Sequence, residues 1–233
     1  MATSPPPLVL FDCDGTLVDS QHAIVHAMGE AFAGVGLAPP AATAVRMVIG
    51  LSLREAVLRL LPAGCEREAD AATARYKDCF LALRRRPDHD EPLFPGVREA
   101  IDAIDRSGAL LGIVTGKARR GLLATLERHG LTDRFVTLHT ADDGPGKPAP
   151  DMVLAAIARI GGRARSTVVV GDTTFDMEMA AAAGAQAIGV AWGYHSPAVL
   201  RARGAARIVT AAAELPAAVG RLLAESERGE TGL

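Results

Sequence analysis

Two acidic residues, Asp12 and Asp14, come directly after a short apolar run and just before a glycine. The run, Leu8–Phe11, is too short for a helix and is typical of a strand buried in a sheet. Carboxylates at the end of a buried strand are costly unless a metal ion or a chemical role offsets their charge. The pattern therefore favours a catalytic or metal-binding pair over the alternative, a strand end capped by solvated turn acids.

Two other polar residues end apolar runs in the same way. Thr115 closes the predicted strand 110–115, and Asp172 closes the predicted strand 167–172. In an open parallel sheet, ligands bind at the carboxyl ends of the strands, near the point where the strand order reverses. We therefore expect Asp12, Thr115 and Asp172 to converge, although they are far apart in the chain.

The segment Phe11-Asp-Cys-Asp-Gly-Thr-Leu-Val-Asp-Ser20 resembles the first motif of the haloacid dehalogenase superfamily in its phosphatase form. The dehalogenases carry an aromatic residue at the position of Asp14, which disfavours that activity here. Three later segments resemble the remaining motifs, in the expected order: 113–117, 146–151 and 168–176. The resemblance covers nearly the whole chain and implies a phosphoric monoester hydrolase similar to the phosphoglycolate phosphatases.

The resemblance also implies a role for each matching residue. Asp12 would be the nucleophile that forms an aspartyl-phosphate, and Asp14 would be the general acid and base. Thr115 would contact phosphate oxygens, and Lys147 would be an electrostatic clamp on the transferring group. Read alone, Thr115 is equally typical of a turn, and Lys147 of a solvated loop.

A divalent cation would solve an electrostatic problem at this site. Repulsion between a carboxylate and a phosphate amounts to about 4 kcal/mol per pair of unit charges at about 4 Å and an effective dielectric of about 20. Mg2+ suits a few carboxylates together with substrate oxygens and water. By resemblance, Asp12, the main-chain carbonyl of Asp14 and Asp172 would hold it, and Asp176 would support the metal or orient Lys147. The alternative for Asp172 and Asp176 is an acid pair at a helix N-terminus.

The alternation of strand and helix predicts the fold class: α/β, with a doubly wound, Rossmann-like parallel sheet and a small inserted α-helical cap. The stretch from residue 18 to 91 interrupts the alternation with helical patterns and no strand-like run. The predicted domains are 1–17 (core, with the first strand and nucleophile motif), 18–91 (cap) and 92–233 (Rossmann-like core). Predicted strands are 8–12, 110–115, 135–140, 167–172, 187–191 and, more weakly, 207–210; predicted helices are 21–33, 53–61, 66–83, 96–107, 118–129, 150–160 and 174–183.

The composition limits the possible partners and compartments. The 233 residues carry a net charge of −2, which offers no general attraction for nucleic acid or an anionic membrane. Three cysteines without a C-x-x-C pair favour reduced thiols, and no segment has the apolar length needed to span a bilayer. We therefore predict a cytoplasmic monomer or homodimer that binds a small phosphorylated molecule, neither nucleic acid nor membrane.

The predicted cap is expected to choose the substrate, because the four motifs recognise only phosphate and metal. The turn 49–54 resembles the specificity loop of related capped enzymes. Arg46 and Arg54 are candidates to bind a second anionic group on the substrate, or they solubilise the cap surface. Segment 192–195 follows a predicted strand, and either borders the site or packs elsewhere.

Several functions share the same core residues. The leading prediction is a Mg2+-dependent phosphatase for a small phosphoglycolate-like phosphomonoester. A sugar-phosphate mutase similar to beta-phosphoglucomutase, or a pyrophosphatase, would carry the same motifs. A non-catalytic regulatory protein on this fold is the alternative from another class.

Overall fold

A six-stranded parallel sheet forms the centre of the protein, as seen in a computed structural model that describes residues 6–231. The strands lie in the order β3-β2-β1-β4-β5-β6, and every pair of neighbours is parallel. This arrangement confirms the predicted doubly wound fold, whose strand order reverses beside β1. The strands are β1 (Leu8–Phe11), β2 (Leu110–Val114), β3 (Thr137–His139), β4 (Thr167–Gly171), β5 (Gln186–Val190) and β6 (Arg207–Val209).

Every helix that the sequence pattern predicts is present in the structure, with bounds that differ by at most a few residues. The pattern did not predict α2, which has only five residues, or α9 and α10 in the last third of the chain. Residues 1–5 and 232–233, which belong to the predicted core domains, lie outside the described residues. The helices are α1 (Gln21–Ala33), α2 (Ala42–Arg46), α3 (Leu53–Leu60), α4 (Ala69–Arg84), α5 (Val97–Arg106), α6 (Arg119–Arg128), α7 (Asp151–Ile160), α8 (Thr174–Ala182), α9 (Pro197–Ala202) and α10 (Leu215–Thr231).

The sheet separates two apolar cores, because successive side chains of a strand point to opposite faces. Val9 and Phe11 pack in the core that contains residues of α5, α6 and α10. Leu8 and Leu10 pack in the core that contains residues of α7 and α8. Burial on both faces explains why the strands read as continuous apolar runs and not as alternating ones.

Helices α1 to α4 form a separate helical layer with its own apolar cluster, which includes Met28, Phe32 and Val57. The two linkers that join this layer to the sheet run side by side and antiparallel. The amide of Asp19 donates to the carbonyl of Pro92 at 2.9 Å, and the amide of Phe94 donates to that of Leu17 at 3.0 Å. This organisation supports the predicted helical insertion, whose boundaries at 18 and 91 stay a prediction.

Across residues 6–231, none of the helices combines the length and the apolar character that crossing a membrane requires.

Candidate active site

Three of the predicted site residues lie at the carboxyl ends of neighbouring strands. Asp12 follows β1, Thr115 follows β2 and Asp172 follows β4. The strand register places these three ends at the same level, because Phe11 pairs with both Ile113 and Val170. The fold therefore brings together two carboxylates and a hydroxyl that come from three distant segments of the sequence.

Asp12 is completely buried, and only one of its two carboxylate oxygens is occupied. Oδ1 accepts a hydrogen bond from the Cys13 amide at 2.7 Å and lies 2.8 Å from Nζ of Lys147. Oδ2 is buried without a hydrogen-bond partner among the described residues. Burial raises the pKa of Asp12 to about 6, an effect that the positive charge of Lys147 opposes. A buried, unpartnered carboxylate oxygen is costly, so Oδ2 is the atom available to a metal ion or a substrate.

Asp172 is fixed by two donors from distant segments. Its Oδ1 accepts from the Thr16 hydroxyl at 2.8 Å, and its Oδ2 accepts from the Tyr194 amide at 2.9 Å. Burial, followed by the negative charges of Asp12 and Asp176, raises the pKa of Asp172 well above its ordinary value. The carboxylate is therefore held in a rigid position where its ionised form needs a compensating positive charge.

Two glycines allow the backbone to come this close to Asp172. Gly15 has a φ of 90°, and a Cβ added there would lie 2.4 Å from Oδ2 of Asp172. A Cβ on Gly193 would lie 2.1 Å from Cβ of Asp172. Any side chain at either position would displace the acid.

Lys147 lies between two buried acids. Its Nζ donates to Oδ1 of Asp176 at 2.6 Å as well as contacting Asp12. Oδ2 of Asp176 accepts from the amide and the hydroxyl of Thr173 at 3.0 and 2.6 Å, which completes a capping box at the start of α8. Burial lowers the pKa of Lys147, but the pairs with Asp12 and Asp176 outweigh this effect and raise it. Of the two roles expected for Asp176, this geometry supports the orientation of Lys147.

The buried acids have the donor set that a hard divalent cation requires. One carboxylate oxygen from each of Asp12, Asp172 and Asp176 lies within 4.8 Å of the others, and all three residues are buried. Among residues 6–231, Lys147 is the cation that pairs with acids of this group, which leaves negative charge that burial penalises. This uncompensated negative charge and the all-oxygen donor set fit Mg2+, which prefers oxygen ligands. The side chain of Asp14 does not belong to this group, and ligation by its main-chain carbonyl stays a prediction.

The side chain of Asp14 instead contacts a cation that the sequence reasoning did not single out. Its Oδ1 accepts from Nζ of Lys117 at 2.6 Å and from the Ser20 hydroxyl at 2.7 Å. Nζ of Lys117 also lies 3.6 Å from the buried carboxylate of Glu91, which pairs with Arg84 at 2.7 Å. Burial lowers the pKa of Lys117, but Asp14 and Glu91 outweigh this and raise it. Lys117 lies in the segment that resembles the second motif, 113–117, and this position is the feature of the sequence that could have identified it.

Thr115 is buried at the end of β2, two residues before Lys117. Its hydroxyl accepts from the Lys117 amide at 3.2 Å, and Thr115 lines a cavity together with Asp12 and Asp14. Thr115 therefore borders the space in which a substrate would meet the two acids.

The helical layer covers this cavity. A Cβ on Gly116 would lie 2.5 Å from the carbonyl oxygens of Gly50 and Leu51, so the loop between α2 and α3 presses on the end of β2. Leu51 and Val48 pack with Phe175 at the start of α8. The cavity between the layers measures about 1080 Å3.

The two predicted cap arginines occupy different positions. Arg54 lines the cavity, and its Nε donates to Oδ1 of the exposed Asp70 at 2.8 Å. Arg46 donates to Oε1 of Gln21 at 2.8 Å and is not among the residues that line the cavity. The structure thus brings Arg54 to the site and leaves Arg46 outside it; binding of a second anion by either remains a prediction.

Segment 192–195 borders the site. Nε1 of Trp192 donates to the carbonyl of Thr16 at 3.1 Å, two residues after Asp14. Nδ1 of the buried His195 accepts from the amide of Thr174 at 3.1 Å, and burial lowers the pKa of this histidine. Together with the Tyr194 amide on Asp172, these bonds make the segment a support for the acids.

Comparison with known proteins agrees with the geometry. Residues 9–190 match the family model of the haloacid dehalogenase-like hydrolases. The chain is similar to a probable phosphatase, IndB, from Dickeya dadantii (37% identical, covering 93% of this chain and 95% of the relative). It is also similar to a phosphoglycolate phosphatase from Caulobacter vibrioides (33% identical, covering 97% and 95%). A hydrolase from Pseudomonas syringae of known structure superposes with a TM-score of 0.80 at 25% identity, covering 92% of this chain and 98% of that one. These matches confirm the predicted family and fold, and the chain belongs to the haloacid dehalogenase-like hydrolases.

Proposed function

We propose that this hydrolase is a Mg2+-dependent phosphatase that removes the phosphoryl group from a soluble phosphomonoester through an aspartyl-phosphate on Asp12. The observation that carries the proposal is the state of Asp12: Oδ2 is buried and unpartnered, while Lys147 holds Oδ1. An unpartnered carboxylate oxygen beside a fixed cation is the arrangement that a nucleophile for phosphate requires.

In the first step, Oδ2 of Asp12 attacks phosphorus. A bond forms between Oδ2 and phosphorus, and the bond from phosphorus to the alkoxide oxygen breaks. Lys147 and the Thr115 hydroxyl oppose the charge on the phosphoryl oxygens. Asp14 donates its proton to the departing alkoxide, which leaves as the alcohol.

In the second step, a water molecule attacks the phosphorus of the aspartyl-phosphate. Asp14, now ionised, takes the proton from that water, and the bond to Oδ2 of Asp12 breaks. Inorganic phosphate leaves, and both acids return to their starting states. When bound at Asp12 and Asp172, Mg2+ supplies the positive charge that lets a carboxylate approach a phosphate dianion.

The names of several relatives make phosphoglycolate the first substrate to test. The relative from Caulobacter vibrioides and that from Agrobacterium fabrum (31% identical over 82% of this chain) are both named phosphoglycolate phosphatase. The expected experiment is a panel of phosphorylated metabolites with Mg2+, scored for released phosphate and for rearranged products. Released phosphate supports the phosphatase, rearranged sugar phosphates would indicate the mutase, and cleavage of pyrophosphate alone would indicate the pyrophosphatase.

A pair of matched variants assigns the activity to this site. Asp12→Asn should be inactive, whereas Asp133→Asn, at an exposed aspartate outside the site, should keep full activity. Absence of phosphate release from every ester by folded protein would overturn the proposal.

A further inference from the structure

The cavity above the acids is much larger than the phosphoglycolate molecule. It measures about 1080 Å3, whereas pockets of roughly 300–1,000 Å3 enclose drug-sized ligands. A phosphate with a two-carbon acid fills only a small part of such a space. The remaining volume must hold either water or a larger leaving group.

Part of the wall on the side of the helical layer is apolar. Ile24 and Met28 of α1, Leu53 of α3, and Tyr76 and Phe80 of α4 all line the cavity. The Tyr76 and Phe80 rings stack, with centroids 5.6 Å apart and planes inclined by 19°. Water gains nothing from contact with this wall, and an apolar ligand surface that covers it would be stabilised.

The apolar wall lies next to the residue that would protonate the leaving group. The Phe80 ring centroid is 5.6 Å from Nζ of Lys117, which is 2.6 Å from Oδ1 of Asp14. The alcohol oxygen must reach Asp14 in the reaction, so the carbon skeleton attached to it is directed towards Phe80. The position of the acid therefore links the wall to the leaving group and not to the phosphate.

The arginines nearest the wall are already neutralised. Arg84 pairs with the buried Glu91, and Arg54 pairs with Asp70. Lys117 pairs with Asp14. The remaining cations that line the cavity, Lys77, Arg85 and Arg120, are exposed and attract an anionic substrate without defining its shape. The enclosed part of the site thus favours shape and apolar contact over a second charge.

We propose that the substrate is a phosphomonoester whose alcohol is larger than glycolate and presents an apolar face to Leu53, Tyr76 and Phe80. The inference rests on the proposed phosphatase function and specifies its substrate class. It separates this chain from an enzyme built for phosphoglycolate alone.

The test compares primary alkyl phosphates, whose leaving alcohols are chemically alike. Ethyl, hexyl and 2-phenylethyl phosphate are assayed beside phosphoglycolate, with para-nitrophenyl phosphate as a general substrate. Each buried methylene contributes about fourfold to the binding of the transition state, so kcat/KM for the hexyl and phenylethyl esters should exceed that for ethyl phosphate at least tenfold. Equal values, or the highest value for phosphoglycolate, would overturn the inference while leaving the phosphatase intact. No turnover of any ester would overturn the proposed function instead.

Matched variants test whether the preference for larger esters comes from the apolar wall. Leu53→Ala and Phe80→Ala should lower kcat/KM for hexyl phosphate about tenfold more than they lower it for ethyl phosphate. Leu123→Ala, at an exposed leucine of α6 that does not line the cavity, should change neither. Equal losses on both esters in the wall variants would contradict an apolar contact with the substrate. Should those variants fail to fold, the ranking of esters by the unaltered protein still decides the matter.

Discussion

Nζ of Lys117 lies 2.6 Å from Oδ1 of Asp14, and this ion pair is almost entirely shielded from solvent. The same ammonium group is 3.6 Å from Glu91, which stands where the chain returns from the helical layer to the sheet. Lys117 therefore connects the proposed acid, Asp14, to the linker that returns from the helical layer to the sheet.

Replacement of Lys117 should affect the leaving group more than the phosphate. Lys117→Met frees the side chain of Asp14, and we expect kcat/KM for an alkyl phosphate to fall about a hundredfold, the lower end of what a general acid contributes. An aryl phosphate, whose alcohol leaves without a proton, should lose less than tenfold. Lys117→Arg keeps the cation and should recover part of the loss. Equal losses on the two esters would assign Lys117 to the phosphoryl group.

Asp12→Asn should abolish turnover and leave the fold intact. An amide has nearly the volume of a carboxylate but cannot attack phosphorus, and it removes one charge from a crowded acid cluster. Circular dichroism and thermal unfolding should show a melting temperature no lower than that of the unaltered protein. Trifluoroberyllate should bind the unaltered protein at Asp12 and should not bind the variant. Activity above a few per cent in purified Asp12→Asn would exclude the nucleophile assignment.

Lys147→Ala should cost more than Thr115→Ala in both rate and stability. The lysine opposes a full charge on the transferring group, whereas the hydroxyl adds one neutral hydrogen bond, and charge-assisted contacts are about twice as strong. Removal of Lys147 also leaves Asp12 and Asp176 buried without their cation, for which about 3–5 kcal/mol of destabilisation is expected. Steady-state kinetics and urea unfolding measure the two effects. A larger loss of rate at Thr115 would reverse the roles.

Stabilisation by Mg2+ should increase with pH. Burial raises the pKa of Asp12 from 3.8 to about 6 and raises that of Asp172, so the folded metal-free protein retains protons that the unfolded chain releases. The free energy of unfolding of the metal-free protein therefore falls as pH rises from 3.8 through about 6. Mg2+ binds the ionised carboxylates, so it should raise the melting temperature more at about pH 7.5 than at about pH 5. Asp172→Asn should weaken this difference. An equal rise at both pH values would exclude these acids as the metal site.

The sequence predicted the strand ends more reliably than the contacts between them. Asp12, Thr115 and Asp172 were found because each interrupts an apolar run, a signal that is local in the chain. Lys117 and Glu91 carry no such signal, since their meaning depends on a contact between segments far apart. Glu91 resembles an ordinary linker acid until the fold buries it.

In the helical layer, too, contacts between distant segments could not be predicted from the sequence. Arg46 and Arg54 look alike in sequence, as cations on either side of one turn, and only the packing of α2 and α3 brings one of them to the cavity. Helix α2 was missed because five residues are too few for a periodic pattern.

The antiparallel pairing of the two linkers has an evolutionary consequence. The chain leaves the sheet after Leu17 and returns to it before Phe94. Because these two points are adjacent, the insertion begins and ends at one place on the sheet, as a short loop would. The insertion can therefore be lengthened, shortened or exchanged without moving the strands, but Ser20 and Glu91 at its two ends contact Asp14 and Lys117. Selection, or a protein engineer grafting residues 21–90 from a relative, can change what the enzyme accepts while these two end residues keep the acid in place.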